Sequence, residues 1–245
     1  IVHELVDMSQ RDSGVLLALA GLRGTGADDA EHSIAVAILA IAMGKRLGLD
    51  KRLLADLGVA AVHHDEGLAA LGSDEQNDEA KHSVSGLRAL LGRGLPDERV
   101  IRQVIITSEH HRDYSDSSRW NDDAYESPLN PLSQIVRLAN DFDGLTRGRR
   151  GKTELGVAEA IAKMEDGAGC LYHPGLLDVF VDMIVGEATE EVDEEEVAAA
   201  KTGLDAMLAA FIDDKANEDP VAAAQIDVSE PAVEPPKPKK RKKKK

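Results

Sequence analysis

One apolar stretch constrains the fold of this chain more than any other feature. Apolar residues are nearly continuous from His32 to Leu47, and the segment from Ile34 to Met43 carries no charge. A helix that is apolar on most sides must be surrounded by other elements, and this stretch is too short to span a bilayer. The pattern therefore predicts a central buried helix of a globular domain, closed by Gly48.

The remaining apolar residues also favour helices. The chain is rich in Ala, Leu, Val and Ile, whereas aromatic residues, which concentrate in strands, make up only 3%. We therefore predict an all-α fold with a bundle of about seven helices, a further C-terminal helix and a disordered tail. The predicted helices cover residues 13–22, 32–47, 51–71, 78–91, 97–110, 131–145, 153–164, 174–185 and 190–212.

These helices suggest four segments along the chain. Residues 1–27 form a helical lead-in, 28–186 the main helical domain, and 187–213 an acidic C-terminal helix. Residues 214–245 combine an Asp/Ala/Pro-rich linker with a lysine-rich tail, a composition typical of disorder. Because Ile1 is not an initiator residue, we expect the chain to be a piece of a longer protein.

Charge is distributed unevenly. The last nine residues contain eight of the 29 basic side chains, so the other 236 residues hold 21 basic and 45 acidic side chains and a net charge of -24. Such an acidic body repels long nucleic acids, and a small anionic ligand is the more plausible partner. The tail is either a solvated solubility segment or a contact for polyanions.

The single cysteine, Cys170, excludes an intramolecular disulfide framework and a cysteine-rich zinc site. With no signal-peptide pattern and no membrane span, we expect a cytoplasmic protein. Metal sites without cysteine are built from imidazoles and carboxylates, which suit Mn, Fe, Ni or Zn. Most histidines of this chain do lie in helical contexts beside acidic residues, as in the His63-His64-Asp65-Glu66 run that interrupts an apolar helix.

Five segments, in order, resemble the HD superfamily of metal-dependent phosphohydrolases, and within it the HD-GYP branch of cyclic di-GMP phosphodiesterases. Residues 31–36 are similar to its opening His-Ser-x-x-Val helix, 60–67 to its A-x-L-H-D-x-G signature and 81–86 to its x-H-P-x-x-G helix. Residues 110–111 match its His-His pair, and 135–146 are similar to its I-x-x-I-A-D-x-F-D-A-L-T helix.

The resemblance implies an HD-domain bundle that binds two or three divalent cations, such as Fe or Mn. It also implies hydrolysis of a cyclic dinucleotide by a metal-bridging hydroxide, with Asp65 as the catalytic residue that bridges two ions. Asp28, one helical turn before His32, is a candidate ligand for a third ion. The implied ligands are His32, His64, Asp65, His82, His110, His111, Asp141 and Asp28.

Two departures from the family pattern bear on substrate. Leu68 stands where the family has a lysine after H-D-x-G, and the G-Y-P loop is missing after His111. The candidate substrate-binding residues are Lys81, Arg119, Arg147 and Arg150. Three hypotheses stay open: a cyclic di-GMP phosphodiesterase, an impaired member that senses a nucleotide or docks a signalling partner, and a phosphohydrolase of another nucleotide. A homodimer is also left open.

Overall fold

The computed structural model describes residues 1–21, 28–71, 79–92, 95–115, 129–149, 153–187 and 194–217. Within these ranges it contains ten α-helices, one 3-10 helix and no strand, which confirms the predicted all-α class. The elements are α1 (Val2–Arg11), α2 (Ser13–Gly21), α3 (Asp28–Arg46), α4 (Lys51–Val62), η1 (Glu66–Ala70), α5 (Glu79–Leu91), α6 (Glu98–Glu109), α7 (Pro131–Arg147), α8 (Val157–Glu165), α9 (Pro174–Glu187) and α10 (Glu194–Asn217).

The apolar helix α3 lies at the centre of the molecule, as its sequence predicted. Every residue from Ile34 to Met43 is less than 5% exposed, and α3 packs against α4, α7, α2 and α1. Gly48, with a φ of +79°, reverses the chain after this helix. Helices α4 and α7 pack most extensively on α3. Asp143 of α7 also contacts His32 in the N-terminal half of α3.

Two helix ends near the centre are fixed by local sequence. Helix α7 begins with Asn130, whose side chain accepts a hydrogen bond from the Leu132 amide, followed by Pro131 at the first helical position. It ends at Gly148, which adopts a left-handed conformation with φ +64°. These caps set the length of the helix whose residues flank α3.

A predicted continuous helix over residues 51–71 is wrong in its second half. Helix α4 ends at Val62, a turn follows through His63 to Asp65, and the 3-10 helix η1 covers Glu66–Ala70. The break has a packing reason: Gly67 lies against α5 so closely that an added Cβ would be 2.0 Å from the His82 carbonyl oxygen. A straight α-helix would not turn the chain toward α5 at this point.

Helix α6 is held on α4 by a buried ion pair. Asp56 of α4 is 2% exposed and accepts hydrogen bonds from Arg99 at 3.1 Å and Arg102 at 2.6 Å, both on α6. A buried carboxylate needs such partners to offset its lost hydration. These contacts hold α6 beside α4, and His110 and His111 directly follow the C-terminal end of α6.

The outer helices share the central core. The predicted helical lead-in contains a separate first helix, α1, that was not specified, and its Leu5 and Val6 are fully buried against α3 and α4. Helix α10 packs on α2 and α3 and contributes Leu204 to the same cluster. Between residues 28 and 187 the described chain forms seven α-helices, the number that was predicted.

Candidate metal centre

Six of the eight predicted ligands come together beside the middle of the bundle. His32 comes from α3, the turn after α4 supplies two ligands, α5 supplies one, and the end of α6 supplies two. They form a four-residue group (Asp65, His82, His110, His111) and a three-residue group (His32, His64, Asp65), and within each group the ligand atoms lie within 4.8 Å of one another. Asp65 belongs to both groups.

The separations in the four-residue group fit a single cation. The Nε2 atom of His82 lies 3.3 Å from Nε2 of His110 and 3.0 Å from Nε2 of His111. Nitrogens bound to one ion at about 2.1 Å would be roughly 3.0 Å apart in octahedral and roughly 3.4 Å apart in tetrahedral coordination. Oδ1 of Asp65 is 3.4 Å from Nε2 of His82, which agrees with the same geometry.

The carboxylate of Asp65 lies close to members of both groups. Oδ1 lies 3.5 Å from Nε2 of His64 and 3.7 Å from Nε2 of His110. Oδ2 lies 3.8 Å from Nε2 of His32. One carboxylate can thus contact a cation in each group, the role that the resemblance implied for this residue.

Three imidazoles are fixed in orientation by hydrogen bonds at Nδ1, two of them to backbone carbonyls. The Nδ1 atoms of His64 and His110 lie 2.7 Å and 2.8 Å from the carbonyl oxygens of Ala61 and Thr107. A carbonyl only accepts, so each Nδ1 carries the proton and each Nε2 keeps its lone pair. The Nε2 atoms of His32 and His64 are buried and make no hydrogen bond, an arrangement suited to metal ligation.

The protonation states also favour cation binding. Burial lowers the pKa of His64 to about 3, and burial together with the neighbouring His110 and His82 lowers the pKa of His111. Burial opposes ionisation of Asp65, but His64 and His110 outweigh it and hold its pKa well below the ordinary value. At neutral pH His64 and His111 are therefore neutral and Asp65 is anionic, the forms that bind metals.

Asp143 of α7 orients the third imidazole. Its Oδ2 accepts a hydrogen bond from Nδ1 of His32 at 2.6 Å, and its Oδ1 accepts one from Nε of Arg147 at 2.7 Å. Arg147 also contacts Glu31 at 3.5 Å and the Ala20 carbonyl at 3.2 Å. This arginine, predicted to bind substrate, is thus held by protein groups, and its observed contacts support the ligand His32.

Asp141, a predicted ligand, is not in either group. Its Oδ2 accepts a hydrogen bond from the Tyr172 hydroxyl at 2.9 Å and lies 3.5 Å from Nε of Arg137. Burial, followed by Asp141 itself, raises the pKa of Tyr172, which keeps the hydroxyl protonated as the donor. When the motif of α7 is compared letter by letter, its aspartate falls on Asn140, and Asn140 is the residue that shares a helix face with Asp143.

Arg149 reaches the centre, although it was not among the predicted substrate-binding residues. Its Nη1 lies 3.7 Å from Oδ2 of Asp65, and its Nη2 lies 2.5 Å from Oδ1 of Asp29. The side chain is 13% exposed. The sequence has arginines at positions 147, 149 and 150, and nothing in it indicates which of them turns toward Asp65.

The other predicted site residues are placed as follows. Lys81 is exposed on α5, next to His82, and Leu68 is buried in η1. Arg119, Arg150 and the side chain of Asp28 lie outside the described residues. The carbonyls of Ala61 and Thr107, which fix two imidazoles, were missed because no side-chain pattern marks a backbone acceptor.

Comparison with known proteins finds similarity over the part of the chain that holds this centre. The HD domain family model matches residues 29–145, a range that contains every member of both groups. A cyclic di-GMP phosphodiesterase of Pseudomonas aeruginosa is 25% identical over 196 residues, covering 75% of this chain and 46% of that protein. A cyclic di-GMP phosphodiesterase of Thermotoga maritima is 24% identical over 170 residues, covering 62% of this chain and 44% of that protein.

A solved structure has a similar fold. The HDG"Y"P protein Bd1817 from Bdellovibrio bacteriovorus superposes with a TM-score of 0.58 at 22% identity, covering 76% of this chain and 61% of that one. The chain spans less than half the length of the two curated relatives. Among the described residues, no helix has the length and apolar content needed to cross a membrane. Residues 29–145 thus match the HD domain model, the superfamily that the five motifs resemble.

Proposed function

We propose that this chain is a metal-dependent phosphodiesterase that acts on a cyclic dinucleotide, with cyclic di-GMP as the first substrate to test. The observation that carries the proposal is that Asp65 belongs to both groups: its Oδ1 lies near His82 and His110 as well as His64, and its Oδ2 lies near His32. Two cations about 3.5 to 4 Å apart are the arrangement by which many enzymes hydrolyse phosphodiesters. When bound, such ions supply charge neutralisation for the phosphate and an activated water molecule.

Each residue of the centre has a defined part in this proposal. His82, His110 and His111 hold one cation, His32 and His64 hold the other, and Asp65 contacts both. Fe or Mn fits this mixed nitrogen and oxygen donor set, which contains no sulfur ligand. Asp28 stays a candidate ligand for a third ion.

The positive charge next to the centre supports an anionic substrate. Arg149 is close enough to Asp65 to contact a phosphate bound over the three-residue group. A guanidinium can donate two parallel hydrogen bonds to a phosphate. Arg149 therefore compensates for Leu68, which replaces the lysine that the family pattern has in η1 and which is buried. Lys81, Arg119 and Arg150 remain further candidates for substrate contact, and Asp65 remains the proposed catalytic residue.

Names of relatives support the substrate class. Both curated proteins cited above are cyclic di-GMP phosphodiesterases, and the similarity to one of them covers three quarters of this chain.

A second candidate function is nucleotide sensing without turnover. Two observations favour it: Leu68 places an apolar side chain where the family pattern has a lysine, and Asn140 places a neutral amide at the aspartate of the α7 motif. Each change removes a charged side chain that the family pattern has at the site.

A turnover assay tests both candidates. Protein purified anaerobically and loaded with Fe²⁺ or Mn²⁺ is incubated with cyclic di-GMP, and products are separated by ion-exchange chromatography. The phosphodiesterase proposal expects the linear dinucleotide or GMP, together with two or more metal ions per chain by elemental analysis. The Asp65→Asn variant serves as the control and is expected to lose product formation, because both groups depend on this carboxylate.

The outcomes separate the candidates. Metal binding and cyclic di-GMP binding without product would support the sensor. Metal binding with hydrolysis of another nucleotide in a substrate panel would retain the phosphohydrolase and change its substrate. A chain that binds no divalent cation would contradict the metal-dependent proposal altogether.

A further inference from the structure

The two halves of the metal centre are unequal in donor number. The four-residue group offers three imidazoles and a carboxylate, whereas the three-residue group offers two imidazoles and the same carboxylate. Among the described residues of the two groups, Asp65 is the one anionic ligand, and it is shared by both. A cation bound in one group therefore neutralises part of the Asp65 charge, and a second cation is attracted less strongly to the other group.

A fixed positive charge lies on the weaker side. Nη1 of Arg149 is 3.7 Å from Oδ2 of Asp65, the oxygen that faces His32 of the three-residue group. A guanidinium stays charged throughout the physiological pH range. It can neither ligate a cation nor lose its proton to make room for one.

Tertiary contacts hold the guanidinium in this place. Nη2 of Arg149 pairs with Asp29 at 2.5 Å, and the side chain is only 13% exposed. Asp29 stands on the first turn of α3, one turn before His32 on the same helix. Solvent screening of the charge is therefore weaker than it would be for an arginine on the surface.

We propose that cations bind to this centre in a fixed order, and that Arg149 sets the gap between the two steps. The four-residue group binds the first cation. The Arg149 guanidinium opposes the second cation at the three-residue group, so that this group fills only at a higher free metal concentration. The inference rests on the metal centre of the proposed function and adds a regulatory property to it: hydrolysis would follow the second binding step.

Calorimetric titration of the metal-free protein with Mn²⁺, without substrate, tests the order. We expect two separated binding events in the wild-type chain. Arg149→Gln removes the charge and should tighten the second event about ten-fold, while the first changes little. The matched control is Arg52→Gln, which removes an equal charge. Arg52 is an exposed arginine at the start of α4 that pairs with Glu98 of α6. This variant should leave the affinity of both events within about two-fold of wild type.

A second variant assigns the first event. His111→Gln removes a ligand from the four-residue group only, so it should weaken the tighter event by about ten-fold or more. This variant and the wild-type titration keep the inference testable if Arg149→Gln does not fold. Electron paramagnetic resonance of Mn²⁺ gives an independent reading, with an isolated-ion spectrum at one equivalent and a spin-coupled spectrum at two.

Several results would overturn the inference. Two events of equal affinity in the wild-type chain would do so, as would an Arg149→Gln second event within two-fold of wild type. A His111→Gln variant whose tighter event is unchanged would also contradict the order. These outcomes leave the proposed function intact, because two cations still bind, whereas the absence of any Mn²⁺ binding would remove both.

Discussion

At the scale of single residues, α7 separates two aspartates that look equivalent in the sequence. Asp143 accepts hydrogen bonds from His32 and Arg147, whereas Asp141 faces Tyr172 and Arg137. Side chains two residues apart on a helix, such as Asp141 and Asp143, point in directions that differ by about 200°. Adjacent motif letters therefore have different functions, and the ligand set proposed from the motif has to be read by helix face.

A pair of substitutions on α7 tests this separation. Asp143→Ala should weaken metal binding about ten- to hundred-fold, because it removes the acceptor that orients His32. It should also lower the free energy of unfolding by about 2 to 3 kcal/mol, since the buried Arg147 contact is lost. Asp141→Ala is the control and should leave metal affinity within about two-fold. Calorimetric titration and urea unfolding measure both quantities, and an equal loss of affinity in the two variants would restore Asp141 as a ligand.

Asn140 stands where the α7 motif has an aspartate, and this difference leads to a prediction of tighter metal binding. Asn140 lies three residues before Asp143 and therefore on the face of α7 toward His32. Asn140→Asp would add a second carboxylate beside the three-residue group, and a hard divalent cation binds a carboxylate more strongly than an amide. We expect the weaker Mn²⁺ binding event to tighten several-fold. An unchanged second event would show that residue 140 does not reach the cation.

The buried imidazoles predict an acid-sensitive metal-free protein. In the unfolded chain His64 takes up a proton near its ordinary pKa of 6.5, whereas burial lowers its pKa to about 3 in the folded chain. The contribution of His64 to folding stability is therefore fully present above pH 6.5 and is lost as the pH falls toward 3. The loss is at most about 1.4 kcal/mol per pH unit for this one group. Urea unfolding in EDTA at pH 7.5, 6.5 and 5.5 measures the slope. His64→Gln should make the slope shallower; equal slopes would exclude His64 as a source.

At the scale of elements, the centre depends on a close approach between η1 and α5. A Cβ on Gly67 would lie 2.0 Å from the His82 carbonyl oxygen and 2.4 Å from the Gly86 amide nitrogen. Gly86 is similarly tight, because its Cβ would be 2.7 Å from Thr107 of α6. These two glycines bring the turn with His64 and Asp65 next to the helices that hold His82 and His110.

Replacing Gly67 should therefore separate the ligands. Gly67→Ala forces a backbone shift and is expected to cost about 3 kcal/mol of unfolding free energy and to weaken cation binding. Gly144→Ala is the matched control: it lies in the interior of α7 with nothing within 4 Å of an added Cβ. This second change should be neutral or stabilise by up to about 1 kcal/mol. Thermal melts with and without Mn²⁺ compare the two variants.

At the scale of the whole molecule, all described members of the metal centre and Arg149 lie between residues 32 and 149, while the core extends further in both directions. Leu5 and Leu16 from the first two helices and Leu204 from α10 belong to the same apolar cluster as α3. The terminal helices thus support α3 from outside, although they contribute no metal ligand among the described residues.

Two truncations test this division. Removing residues 218–245, which follow α10, should leave the melting temperature and metal content unchanged. Removing residues 194–245 also deletes α10, which covers α2 and buries Leu204. Loss of a contact of about 2 kcal/mol corresponds to a melting temperature about 4 to 8 °C lower. An equal effect of both truncations would show that the segment after Asn217 contributes to stability.

The sequence by itself determined the helical class, the central position of α3 and six of the residues that come together. Apolar periodicity within each segment predicted the helices, and the resemblance of five short segments to the HD superfamily implied the ligands. Only the tertiary structure decided the rest: that α4 breaks before Asp65, that Asp143 and not Asp141 contacts His32, and that Arg149 turns toward Asp65. These outcomes depend on the distance between packed helices and on which face each helix turns toward its neighbour. Neither can be predicted from the residues of a single helix.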